Sequence, residues 1–182
     1  YVTGLKQALQ LSQEVNQKSF IIEQLKIAGR DETVPVLKTY TTHPKLYQPA
    51  IQALTLIGTN SAGSALHENL SSAEGQNRMA IIEALGNLQY EPAVDDLINY
   101  LPEDDSQMKN AAAYALSNIG TQKAITPLKT VAESNQLYIS HYLKLAEKLG
   151  EKGETTSCLK ICDEIIESKS EHYSDHDIIF AL

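Results

Sequence analysis

Apolar residues recur along this chain in twelve-residue blocks, at three- and four-residue spacing inside each block and every 29 to 31 residues from block to block. The blocks span 18–29, 47–58, 78–89, 109–120 and 139–150. Their eighth position reads Leu25, Leu54, Leu85, Leu116 and Ala146, and their eleventh Ala28, Ile57, Leu88, Ile119 and Leu149. The last position is Gly29, Gly58, Gly120 or Gly150, with Gln89 the single exception. Spacing of three and four places apolar side chains on one face of a helix. A closing glycine fits the left-handed C′ position, where a helix stops and the chain reverses. A second apolar stretch follows each turn: Val34 and Leu37; Ala62, Leu66 and Leu70; Ala93, Val94, Leu97 and Leu101; Ala124, Ile125 and Leu128. Pro35, Pro92 and Pro127 stand near the starts of these second helices, where a missing N–H costs little. Each period therefore reads as a helical hairpin, and a fixed period of this length is the mark of a repeat protein.

The expected organisation is all-α. Residues 1–17 form an N-terminal capping helix, spanning about 3–16 and carrying Leu5, Leu9 and Leu11. Five hairpins follow, at 18–43, 44–73, 74–103, 104–134 and 135–167. Residues 168–182 read as a polar hinge and a short C-terminal helix, or as a truncated tail. Neighbouring hairpins bury one another's faces, so one elongated unit is expected. Start signals lie between hairpins: Asp104, Asp105 and Ser106 before the fourth, and Ser134 and Asn135 before the fifth, offer side-chain oxygens to the free N–H groups of the next helix.

Residues 78–101 (RMAIIEALGNLQ, then YEPAVDDLINYL) and 109–131 (KNAAAYALSNIG, then TQKAITPLKTV) resemble the short HEAT-like repeats of phycobilisome bilin lyases. Arg78 and Lys109 stand at the basic position of that pattern, and Ala84, Leu85 and Gly86 form its tripeptide. Ala124 to Leu128 matches its second helix. The likeness is fair over 47–70 and weak over 18–41, and residues 142–166 could equally pass for a tetratricopeptide unit. The resemblance implies a right-handed α-solenoid (an α–α superhelix) of about five hairpins plus terminal helices. First helices would lie outside and second helices would line a concave face.

Charge narrows the choice of partner. The net charge is −8 and the chain has two arginines, Arg30 and Arg78, with no basic run. Nucleic-acid binding depends on cations that neutralise phosphates, so it is not expected. No apolar run approaches the roughly 18 to 20 residues of a membrane span, so no membrane partner is expected either. The start, Tyr1 onward, lacks a basic flank and an apolar stretch, and a chain without an initial Met reads as processed or excised. That leaves the compartment open between cytoplasm and, if a leader was removed, periplasm. Cys158 and Cys162 fall 8 and 12 residues after Gly150, where earlier hairpins have Leu66 and Leu70 or Leu97 and Leu101. They are expected to be small buried hydrophobes.

Candidate chemistry is sparse. Iron-dependent deoxyhypusine hydroxylases, built from repeats of this class, carry His-Glu pairs in several repeats, whereas here His67 and Glu68 are the sole pair. His172 and His176, with Asp175, have helical spacing for a divalent ion, but a zinc site needs four ligands in a rigid frame. Glu103 to Asp105 lack the alternating oxygens and central Gly of a calcium loop. No phosphate loop or nucleophile elbow is present. No cofactor and no catalytic residue is expected. The exposed positions of second helices remain: Lys38, Tyr40, Thr41, His67, Glu68, Asn69, Asp95, Asp96, Asn99, Tyr100, Lys129, Thr130 and Glu133. Tyr40 and Tyr100 have the amphipathic character of interface anchors. The expected function is a non-catalytic scaffold or accessory module binding a protein or peptide. The alternative, implied by resemblance alone, is a bilin-lyase-like enzyme or chaperone acting on a tetrapyrrole-carrying partner.

Overall fold

In the computed structural model, which describes residues 1–167, every apolar block is helical. Eleven α-helices and no strands occur among the described residues. They are α1 (Val2–Leu11), α2 (Val15–Ala28), α3 (Val34–Lys38), α4 (Tyr47–Ile57), α5 (Asn60–Leu70) and α6 (Gly75–Asn87). Next come α7 (Val94–Ile98), α8 (Ser106–Ile119), α9 (Ile125–Ser134), α10 (Ile139–Glu151) and α11 (Thr155–Glu167). The first helix ends at Leu11, short of the expected residue 16, because Ser12 turns extended and its hydroxyl bonds Gln17 at 3.0 Å instead of continuing the helix. Second helices α3, α7 and α9 each begin with a 3₁₀ turn. Asp105 caps α8 through the N–H groups of Gln107 (2.9 Å) and Met108 (3.2 Å), and Asn135 caps the turn that enters α10.

The chain divides into two compact units, Tyr1–Tyr90 and Glu91 onward. In the first, α2 packs on α1 and α4, and α4 on α6, with Ile22, Leu25, Leu54, Ile81 and Leu85 wholly buried between them. In the second, α10 packs on α8, α9 and α11 around Leu116, Ile119, Leu128, Tyr142 and Leu145. Each fully buried leucine contributes roughly 1.5–3 kcal/mol relative to exposure. The eighth block position is buried in all five blocks; the eleventh is fully buried only in Ile119 and Leu149. The metal candidates His172, Asp175 and His176 lie outside the described residues.

Two of the turns depart from expectation. Gly58 and Gly120 take the left-handed conformation (φ 71° and 66°), and Gln89 does the same at φ 50° without being glycine. Gly29 does not: its φ is −76°. What requires glycine there is space, since a Cβ would sit 2.5 Å from the Leu25 carbonyl oxygen and 2.6 Å from Thr33 Oγ1. Gly150, by contrast, does not end its helix. Helix α10 runs on to Glu151, and the chain reverses at Gly153 with φ 82°.

That three-residue displacement corrects the reading of the cysteines. The eighth and twelfth residues after Gly58, Gln89, Gly120 and Gly153, the left-handed residues between paired helices, are Leu66 and Leu70, Leu97 and Leu101, Leu128 and Ala132, then Ile161 and Ile165, all buried. Ile161 and Ile165 thus hold the core positions expected for Cys158 and Cys162, and both thiols are only half-buried.

Candidate functional site

Second helices carry the side chains with which a partner-binding surface would be built. In the first unit, α3 and α5 are joined by a polar ladder between residues about one repeat apart. Lys38 Nζ pairs with Glu68, whose other oxygen accepts from Ser64 Oγ at 2.9 Å. The Lys38 ammonium, and after it the Ser64 hydroxyl, hold the Glu68 carboxyl below the usual carboxylate range. At the start of the same face Asp31 accepts hydrogen bonds from Thr59 and Ser61, which lower its pKa in the same way.

Thr41 contradicts its expected exposure: it is wholly buried. It is the twelfth residue after Gly29, the place held elsewhere by Leu70 and Leu101, so the register turns it inward. Its hydroxyl donates to the Lys38 carbonyl at 3.0 Å and accepts from Asn69 Nδ2 at 2.7 Å, which removes the penalty of burying a polar group. Asn69 also donates to the Lys38 carbonyl, at 3.0 Å.

The aromatic candidates of the first unit are partly engaged. Tyr40 is half-buried, its hydroxyl 3.5 Å from the Leu9 carbonyl of α1 and the Lys18 ammonium 5.4 Å from its ring centroid. His67 is half-buried and meets the Tyr90 ring edge-on, with centroids 5.9 Å apart. Gly63, one turn earlier on α5, makes room for that ring: a Cβ there would lie 2.3 Å from Tyr90 Cδ2.

In the second unit, Asp95 is exposed and both its oxygens accept from Lys123 Nζ, at 2.9 and 2.8 Å. Asp96 and Asn99 are exposed beside it on the α7 side, and Tyr100 is half-buried. Lys129 of α9 lies 3.2 Å from Glu164 of α11 and 3.9 Å from Glu133. Burial pushes the Glu164 carboxyl up, but the Tyr142 hydroxyl at 2.7 Å and Lys129 outweigh it, so the group ends below its usual range. Gln122 Nε2 donates to Glu154 at 2.6 Å, and Lys152 Nζ donates to Glu91 at 2.6 Å and to the Ile119 carbonyl at 2.7 Å. Thr130 and Glu133 are exposed.

Charge is segregated along the chain. Residues 1–90 hold seven basic and seven acidic residues, while 91–182 hold eight basic and sixteen acidic. The whole net charge of −8 thus belongs to the second half.

One feature of the first unit escaped sequence reading: a groove of 350 Å³ between α4 and α6. Ile51 and Ala84 form part of its wall, with Gln52, Thr55, Glu83 and Asn87 around them. Leu56 at its edge is 65% exposed and Ile27 of α2 is 71% exposed, and both stand at the tenth position of their blocks. That position is Asn87, Asn118 and Lys148 in the later blocks, which was the available signal.

Elsewhere on α10, the Lys148 ammonium holds the Glu151 carboxyl below its usual range. Among the described residues no three or more His, Cys, Asp and Glu side chains converge as a metal site would require. No helix among them is long and apolar enough to cross a membrane.

Residues 63–139 match the family model for HEAT repeats. No curated protein matches the sequence. Two crystal structures of engineered proteins from the Northeast Structural Genomics Consortium share the fold. One is 18% identical with a TM-score of 0.54, covering 100% of this chain and 94% of its own. The other is 17% identical with a TM-score of 0.57, covering 99% of this chain, which spans 56% of that protein's length. At such identity the likeness speaks for fold alone. The chain is thus an all-α succession of helical pairs, and its residues 63–139 are similar to HEAT repeats.

Proposed function

We propose that this chain is a non-catalytic scaffold that binds a protein or peptide on the exposed face of its second helices. HEAT repeats generally serve as protein-binding scaffolds. The observation that carries the reading is the ion pairing between adjacent repeats within each unit: Lys38 with Glu68 in the first, Asp95 with Lys123 and Lys129 with Glu164 in the second. Long side chains normally lose conformational entropy when a partner immobilises them, and bridging to the adjacent repeat removes part of that loss beforehand. The surface is therefore prepared for association and not assembled on contact.

The acidic second half favours a partner with basic residues, because complementary charge accelerates encounter and disfavours like-charged competitors. Asp95, Asp96, Asn99 and Tyr100 form the centre of this surface, with Lys129 on the following repeat. In the first half Tyr40 and His67 have the corresponding roles.

The test is affinity capture with the full chain and with an Asp95→Asn, Asp96→Asn, Tyr100→Ala variant whose helicity matches the wild type. A protein retained by the wild type, released by raised salt and absent from the variant is expected. Identical retention by the two chains would defeat the assignment of this surface.

A further inference from the structure

We propose that Cys158 and Cys162 form a two-coordinate site for a soft, thiophilic monovalent cation of the copper(I) class. They are the only cysteines of the chain, four residues apart on α11, which places them on the same side of the helix. Both are free and half-exposed. The core of α11 is built by Ile161 and Ile165 instead, so the thiols are not needed to hold the helix in place. On the α10 side Cys158 rests over Gly150, where an added Cβ would already touch its sulfur at 3.4 Å. A larger residue at that position would cover the thiol.

Helix geometry separates ion binding from the more familiar fate of a cysteine pair. Side chains four apart on a helix have Cβ atoms about 5–6 Å from one another, while a disulfide requires about 3.5–4.5 Å. A disulfide would force α11 to distort, whereas an ion between the two sulfurs bridges the longer gap with the helix intact. Thiolates select soft ions, and tetrahedral zinc needs four ligands. Two thiolates on one helix face match a soft monovalent ion that is content with two sulfurs. Burial, and after it the neighbouring Cys158, raise the Cys162 pKa. Binding breaks two S–H bonds, forms two S–Cu bonds and releases two protons, leaving a bis-thiolate complex with one negative charge. No electron is transferred and no oxidant is needed.

The experiment titrates the reduced full chain, without oxygen, into the coloured copper(I) complex of bicinchoninate. The wild type should remove one equivalent of copper(I) per chain. Cys158→Ser and Cys162→Ser should each weaken uptake by about tenfold or more, which is about 1.4 kcal/mol. A Cys162→Ser, Asp163→Cys chain keeps two thiols but sets them five apart, on different faces, and should weaken it likewise. Far-UV circular dichroism checks that each variant retains its helices. Failure of the wild type to compete, uptake of two equivalents, or wild-type uptake by either single variant or by the respaced chain would overturn the proposal.

Discussion

Replacing Gly120 by alanine tests how the second unit is held together, because that position meets two separate constraints. Its φ of 66° is left-handed, which for a residue with a Cβ costs about 1–2 kcal/mol. An added Cβ would also lie 2.6 Å from Lys148 Cβ, with the Lys148 backbone only 3.5–3.6 Å away. Lys148 belongs to α10, so the contact is relieved only by moving α10 off α8 or distorting the turn. Overpacking of this kind costs about 1–3 kcal/mol, and the total is about 2–5 kcal/mol before the offset of about 0.4–1 kcal/mol that any Gly→Ala change gains from a stiffer unfolded chain. Gly153 is the matched control. Its φ is 82°, but nothing lies within 4 Å of a Cβ built there. Gly153→Ala bears only the conformational cost, offset by about 0.4–1 kcal/mol from a stiffer unfolded chain. Urea unfolding followed by far-UV circular dichroism gives both values. Gly120→Ala should lose at least about 1 kcal/mol more than Gly153→Ala, the low end of the overpacking cost. Equal losses would refute the claim that close approach of α10 governs this turn.

Other substitutions probe the remaining turns and registers. Gln89→Gly should stabilise the chain by up to about 1 kcal/mol in the same urea assay, because relief of left-handed strain exceeds glycine's added chain entropy. Ile161→Ala should cost about 2–5 kcal/mol and Cys162→Ala far less; the reverse order would return the core register to the cysteines. Burial lowers the His141 pKa below its ordinary 6.5, so the folded state holds the neutral ring more strongly than the unfolded chain does. Its contribution is therefore complete above pH 6.5 and declines as pH falls from there through the lowered folded value. Melting temperature against pH should show that decline in the wild type and a smaller one in His141→Asn. Identical profiles would remove His141 from the explanation.

Much of the fold could be read from residues. Leu25, Leu54, Leu85 and Leu116 declared the buried face because a helix returns to its core every three or four residues whatever lies across from it. Asp105 and Asn135 announced helix starts, since a cap acts on N–H groups two or three residues away. The candidate surface was less legible. Exposure of Asp95, Asp96 and Asn99 followed from the helical pattern, but their neighbours did not. Thr41 read as polar and hence exposed, yet its hydroxyl is satisfied by Lys38 and by Asn69, 28 residues away. The α4–α6 groove needs two helices at a particular separation, and no local pattern encodes that separation.

The sequence by itself determined a succession of helical pairs, because burial periodicity, caps and turn glycines are local and act within a few residues. Tertiary structure decided which glycine reverses the chain before α11. Gly150 and Gly153 are both available, and turning at Gly153 puts Ile161 and Ile165 in the core, whereas turning at Gly150 would put two cysteines there. Isoleucine buries more apolar surface than cysteine, and the choice is expressed only once α10 is present to pack against. The same holds for the ladder of ion pairs: Lys123 meets Asp95, and Lys129 meets Glu164, only because stacked repeats bring residues about thirty positions apart into contact.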